Sequence, residues 1–112
     1  MTEGIDAVFL ETHNWGKAAK FFQALGWDLE VTSGDGSGVF RNGAGAYIVL
    51  IEVPESREPG MQVALKVPDA DAFTPDSSAV EVVTPFEETH YGTREMTVRD
   101  PDGRVWSLQA PK

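Results

Sequence analysis

The chain contains no cysteine. That excludes disulfides, thiolate metal sites and a cysteine nucleophile, and it suits a reducing cytoplasm, the expected location. Basic residues are scarce: nine Lys and Arg stand against eighteen Asp and Glu, a formal net charge of −9. Nucleic acid and anionic membrane are therefore excluded as partners, because both need clustered cations. An acidic surface keeps a protein soluble and draws cationic ligands. No apolar run approaches the roughly 20 residues of a membrane span. The opening Met1-Thr2-Glu3-Gly4-Ile5-Asp6 lacks the basic and apolar regions of a signal peptide. No Gly-x-Ser-x-Gly elbow is present. The triplet Gly34, Gly36 and Gly38 lacks the Lys-Ser/Thr and following helix of a phosphate loop, so it reads as a hairpin turn.

What is there fits one ordinary domain spanning residues 1–112, with 41% hydrophobic and 24% charged residues. Ile5 to Thr12 reads as a strand. Asn14 can cap a helix in which Trp15, Ala18, Ala19, Phe22 and Leu25 share one face, and Gly26 suits the position that ends it. Strands follow over 27–32, 39–41 and 46–53. Pro54 to Gly60 is a linker between a first module, 1–54, and a second, 61–112. The second module repeats the order: a strand over 61–67, a short or irregular helix within 69–78 interrupted by Pro75, a strand over 79–84, a loop over 85–92, and a closing hairpin over 93–99 and 104–110. Asp100-Pro101-Asp102-Gly103 supplies that hairpin's turn: Pro101 presets φ, the aspartates accept backbone N–H bonds and Gly103 tolerates φ > 0.

The repeat aligns without gaps in its best parts. Ala7 to Leu10 lies over Gln62 to Leu65, and Arg41 to Leu50 lies over Arg99 to Leu108. Three segments then resemble the vicinal oxygen chelate superfamily, which joins glyoxalases, bleomycin-resistance proteins, fosfomycin-resistance enzymes and extradiol dioxygenases. They are Asn14 to Trp27 with its Phe21-Phe22-Gln23-Ala24-Leu25-Gly26-Trp27 ending, Gln62 to Asp69, and Tyr91 to Leu108 with Asp-Pro-Asp-Gly intact. The resemblance implies an α+β fold: paired βαβββ modules forming an open, cup-shaped mixed sheet with helices on its outer face. It also implies a homodimer, with sites between chains in many members.

The superfamily's metal enzymes hold their ion on the first and last strands of each module. The corresponding positions here are Ala7, Val49, Gln62 and Ser107, which include no imidazole or carboxylate. No metal and no cofactor are therefore expected, and the reading nearest to hand is the metal-free, bleomycin-resistance-like branch. Period-two alternation places Phe9, Glu11, Val39, Arg41, Tyr47, Val49, Ile51, Gln62, Ala64, Lys66, Glu95, Thr97, Arg99, Val105, Ser107 and Gln109 on the concave face. The candidate ligand-binding residues are Phe9, Val39, Tyr47, Val49, Ile51, Gln62, Thr97 and Ser107, with His90 reaching in from a loop. The partner is a small molecule of aromatic or cationic character. His13 reads as a surface or capping residue, Glu87 and Glu88 as solvated loop carboxylates, and Trp15 and Trp106 as core, while Trp27 suits core and pocket equally. Two rival readings stand beside this one. The first is a metal-dependent lyase, isomerase or dioxygenase using atypical ligands such as Glu11, Glu52, Glu95, His13 or His90. The second is a non-catalytic interaction protein. No catalytic residue is assigned.

Overall fold

The computed structural model describes residues 1–90 and 92–112; Tyr91, at the head of the closing run of the repeat, lies outside the described residues. The chain divides into two compact units, Ala7–Gln62 and a second made of Val63–Lys112 with Met1–Asp6.

The first unit holds most of β1 (Ile5–Thr12), then α1 (Trp15–Ala24), β2 (Asp28–Thr32), β3 (Ser37–Arg41) and β4 (Tyr47–Glu52). Its strand order is β2-β3-β4-β1, with β1 parallel to β4 and the remaining pairs antiparallel. α1 begins where Asn14 Oδ1 accepts the Lys17 N–H at 3.0 Å. It ends in a Schellman arrangement: the Gly26 N–H reaches Gln23 O, the Trp27 N–H reaches Phe22 O, and Gly26 takes φ +94°. The helix lays Trp15, Ala18, Ala19 and Phe22 on Phe40, Ile48 and Leu50 of the sheet. Phe40 is wholly buried, a contribution of about 1.5–3 kcal/mol from its ring alone. Gly38 makes the close approach possible: a Cβ there would sit 2.8 Å from Trp15 Cζ2 and 3.1 Å from the Val31 carbonyl oxygen.

The second unit holds most of β5 (Met61–Lys66), a 3-10 turn (Ala70–Ala72), β6 (Glu81–Glu88), β7 (Thr93–Arg99) and β8 (Val105–Pro111). Its order, β5-β8-β7-β6, is the same plan, with β5 parallel to β8. Residues before β1 pair with the end of β5, Glu3 N–H to Lys66 O at 2.7 Å and Lys66 N–H to Gly4 O at 2.9 Å. Its core is Val67, Ala70, Met96, Leu108 and Ala110, edged by Leu65, Phe73, Phe86 and Val98. The expected helix is reduced to the 3-10 turn, and Phe73 meets Phe86 edge-on at 6.0 Å.

The internal repeat reappears as register. Phe9 pairs with Val49 and Val39 with Val49, as Ala64 pairs with Ser107 and Thr97 with Ser107. Even an irregularity is duplicated. Leu29 and Val31 of β2 face the adjacent residues Phe40 and Val39, and Val82 and Thr84 of β6 face Val98 and Thr97. Each edge strand thus carries one extra residue at the equivalent place, a β-bulge.

Two expectations need correction. The strand expected over 79–84 and the loop expected over 85–92 are replaced by one strand running from Glu81 to Glu88. Pro85 signals a strand's end because it cannot donate to a ladder, but on an edge strand, at a bulge, that donor is not needed. Trp106 is only half-buried, and its indole N–H goes to Asp100 Oδ2 at 3.0 Å rather than into a core.

Candidate functional site

On the sheet face of the first unit turned away from α1, Val31, Val39, Val49 and Phe9 form one row across all four strands. The next row brings Ser37, Ile51 and Glu11 together. On the other side of the apolar row, Ala7 pairs with Tyr47. The Tyr47 hydroxyl accepts from Arg41 Nη1 at 2.9 Å, and the guanidinium also lies 5.1 Å from the ring centre. Phe9, Val39, Tyr47 and Val49 are half-buried and Ile51 is exposed. The structure therefore places five of the expected ligand-binding residues on one apolar, aromatic-edged surface.

The equivalent row of the second unit is Ala64, Ser107, Thr97 and Thr84. The next is Lys66, Gln109, Glu95 and Glu87. Ser107 is fully buried and Gln109 nearly so. A chain of hydrogen bonds fixes the second row. The Thr93 hydroxyl donates to Gln109 Oε1 at 2.8 Å, and Gln109 Nε2 donates to Glu95 Oε2 at 2.7 Å. The hydroxyls of Thr89 and Thr93 are 2.9 Å apart. Glu95 is held in place by a buried amide whose own orientation is set from its other end. In front of it lies an open cleft of about 250 Å³ lined by Thr84, Glu87, Glu88, Thr89, Glu95 and Thr97. Glu87 and Glu95 face each other across the ladder, an arrangement that costs stability unless a cation lies near. Glu88 is 3.7 Å from Lys112 Nζ.

Of the expected site residues in or bordering this unit, Thr97 and Ser107 are directly paired, and Gln62 is half-buried on β5. His90 is exposed, immediately after Thr89 of the cleft. Glu87 and Glu88 are strand residues lining the cleft rather than loop carboxylates. Thr84 and Thr89 were missed by sequence reasoning, because their place depends on β6 continuing past Pro85.

The other candidates have structural work. Glu11 binds Arg57 at 2.7 Å and accepts the Gly60 N–H at 3.0 Å, and His13 Nε2 donates to Arg57 O at 2.6 Å. Both side chains pin the 54–60 segment to the end of β1. Glu52 Oε1 accepts the Trp15 N–H at 2.8 Å, at the start of α1. Trp15 and Trp27 pack on the core of the first unit, which decides the even choice for Trp27 in favour of core.

The positions that correspond, by the resemblance, to the superfamily's metal ligands carry side chains that do not suit an ion. Ala7 and Val49 offer no lone pair, and Ser107 is a poor ligand for a divalent ion, buried without a neighbouring carboxylate or imidazole in its register row. Among the described residues no three His, Asp or Glu side chains gather in a way that could hold an ion.

A scan against protein-family models finds no match for the sequence, and a search of curated proteins finds none. Solved structures do match. A glyoxalase/bleomycin resistance protein/dioxygenase superfamily member from Vibrio splendidus 12B01 superposes with a TM-score of 0.67 at 14% identity, over 98% of this chain and 99% of that one. BphC, a halotolerant catechol dioxygenase, gives 0.70 at 13% identity, over all of this chain and 40% of its own. Streptomyces coelicolor methylmalonyl-CoA epimerase, in complex with 2-nitronate-propionyl-CoA, gives 0.62 at 18% identity, over 99% of each chain. At such identities the likeness is one of fold. The protein is an α+β chain with the vicinal oxygen chelate fold, the architecture of glyoxalase, bleomycin-resistance and dioxygenase proteins. No helix among the described residues is long and apolar enough to cross a membrane.

Proposed function

We propose that this chain binds a small aromatic or cationic molecule without a metal, as a sequestering protein rather than a catalyst. The observation that carries the reading is the chemistry of the side chains at Ala7, Val49, Gln62 and Ser107. The resemblance to the superfamily's metal enzymes puts their ligands at these positions, yet here they carry two hydrocarbon side chains, an amide and a buried hydroxyl. Support for the ligand class comes from the two faces. The Phe9, Val49 and Val39 row with Tyr47 offers apolar and aromatic contact. Glu87, Glu88 and Glu95 supply negative charge beside hydroxyl donors. Apolar burial on the first unit's row would supply affinity for aromatic ligands, whereas the acidic cleft of the second unit would favour cations only weakly, because an isolated ion pair is worth little in water.

The test is calorimetric titration with bleomycin and a panel of aromatic amines, alongside elemental analysis of protein purified without chelator. Binding to metal-free protein is the expected outcome, weakened by Phe9→Ala or Val49→Asp. Stoichiometric Zn, Ni, Mn or Fe retained through purification would overturn the metal-free reading. Absence of any binder in the panel would favour the non-catalytic interaction protein.

A further inference from the structure

The repeat puts one arginine at the same point of each unit, Arg41 in the first and Arg99 in the second, and the two are used differently. Arg99 faces Glu81 across the ladder and is ion-paired with it. Arg41 likewise faces Asp28 across the ladder, but forms no ion pair with it. Arg57, Arg94, Arg99 and Arg104 all have a carboxylate partner, whereas Arg41 has none among the described residues. The difference follows from the next strand. The neighbour of Arg99 there is Val105, whose side chain accepts no hydrogen bond. The neighbour of Arg41 on β4 is Tyr47, one step beyond the pair of Phe40 with Ile48, and both its hydroxyl and its ring engage the guanidinium.

Held in this way, Arg41 is a fixed cation at the border of an apolar face. Its Nε donates to Gly43 O at 2.9 Å and its Nη1 to the Tyr47 hydroxyl at 2.9 Å. A guanidinium has five N–H bonds in a planar fork. The remaining three have no partner among the described residues. The Tyr47 hydroxyl accepts from Arg41, which leaves its own proton to donate. The Arg41 side chain is half-buried, and the ring and the carbonyl have already oriented it, so a ligand need not order it. Beside it runs the row of Phe9, Val49 and Val39. Donors for one planar anion thus border a surface for an apolar body.

We propose that Arg41 and the Tyr47 hydroxyl are the anion-recognising end of this face, and that its ligand is a small aromatic carboxylate. The proposal rests on the reading of the first unit's row as a binding surface, and names the charged group at the ligand's other end. One carboxylate oxygen takes the remaining Arg41 N–H groups and the other takes the Tyr47 O–H. These are charge-assisted bonds, which a neutral amide oxygen makes less strongly. The aromatic ring lies on Phe9, Val39 and Val49. A singly charged carboxylate suits one guanidinium better than a dianionic phosphate, because Asp28 stands across the ladder and the chain's net charge is −9. That net charge is largely screened beyond about 8 Å at physiological salt, whereas the Arg41 contact is direct.

Calorimetric titration of the whole chain with naphthoate, naphthamide and naphthylmethylamine tests this. Naphthoate should bind about tenfold or more tighter than either of the others. Arg41→Gln should erase that preference, with circular dichroism confirming the fold. Tyr47→Phe should reduce it severalfold, and serves the same purpose should the Arg41 variant not fold. Arg99→Gln removes the same charge from the other unit and should leave the preference unchanged, while Asp28→Asn should increase it. Equal affinity for naphthoate and naphthamide would overturn the proposal and leave the sequestering reading in place. So would a preference that survives both Arg41→Gln and Tyr47→Phe, or one that Arg99→Gln erases equally. No binding of any of the three would overturn the proposal together with the reading beneath it.

Discussion

The two units of this chain use one strand order, one register and even one bulge position, but they fill the same row with opposite chemistry. Val31, Val39, Val49 and Phe9 in one correspond to Thr84, Thr97, Ser107 and Ala64 in the other. The helix sides diverge too. The first unit packs a capped ten-residue helix on a fully buried phenylalanine, while the second has a three-residue turn and a smaller core. Backbone pairing therefore tolerates a change from three valines to two threonines and a serine on the face away from the core. That freedom lets a duplicated scaffold carry an apolar surface on one half and a polar, acidic one on the other.

The largest effect expected from probing this contrast is at Phe40. Phe40→Ala should cost about 3–5 kcal/mol, whereas Val98→Ala, at the equivalent position of the second unit, should cost about 1–2. Urea unfolding followed by tryptophan fluorescence measures both. Equal losses would mean that the helix does not make the first unit's core the deeper one.

Gln109→Leu should cost about 1–2 kcal/mol, because it removes the amide that joins Thr93 to Glu95. It should also loosen Glu95, visible as faster amide exchange in β7. No change in exchange would show that Glu95 is held by something other than Gln109.

The two hairpin turns give a pH-dependent contrast. Asp100 accepts from the Arg104 guanidinium, the Trp106 indole and the backbone N–H groups of Arg104 and Asp102. The Arg104 bond first, then Trp106, holds its carboxyl well below the usual carboxylate range. A lowered folded pKa contributes stability above the unfolded value near 4 and loses it as pH falls towards the folded one. Asp100→Asn should therefore flatten the stability curve from about pH 5 downward. The matching turn of the first unit has Asn42 and an Arg41-to-Gly43 bond instead. Asn42→Asp should leave that part of the curve unchanged.

The smallest effect concerns Glu87. Replacing it by Lys converts a like-charge cross-strand pair into an opposite-charge one and should stabilise the chain by about 0.2–1 kcal/mol. The same change should abolish any preference of the protein for cationic over neutral ligands, which competition titration would read.

Much of this was legible in the residues. Asn14 and Gly26 bracket α1 because each has a specific backbone task. The Asp-Pro-Asp-Gly turn marked the closing hairpin, and the ungapped repeat matched Ala7 to Leu10 with Gln62 to Leu65 and Arg41 to Leu50 with Arg99 to Leu108, segments that take equivalent registers in the structure. The cleft was not legible, and the reason is parity. Between Thr84 and Glu87 β6 advances three residues while β7 advances two, from Thr97 to Glu95. Strict alternation would group Thr84 with Phe86 and send Glu87 to the opposite face. One inserted residue reverses that assignment, and no period-two count detects it. Trp106 misled for a different reason. Its parity suits the core side, but Asp100 gives its N–H a partner at the surface.

The irregular course of β6 reaches beyond the cleft. Pro85 withholds a donor, two bulges break the spacing of the remaining ones, and Glu81, Glu87 and Glu88 add repulsion. A border built this way cannot template a flat, growing stack of strands. Even in a partly unfolded preparation, fibrils should not nucleate from this margin of the molecule.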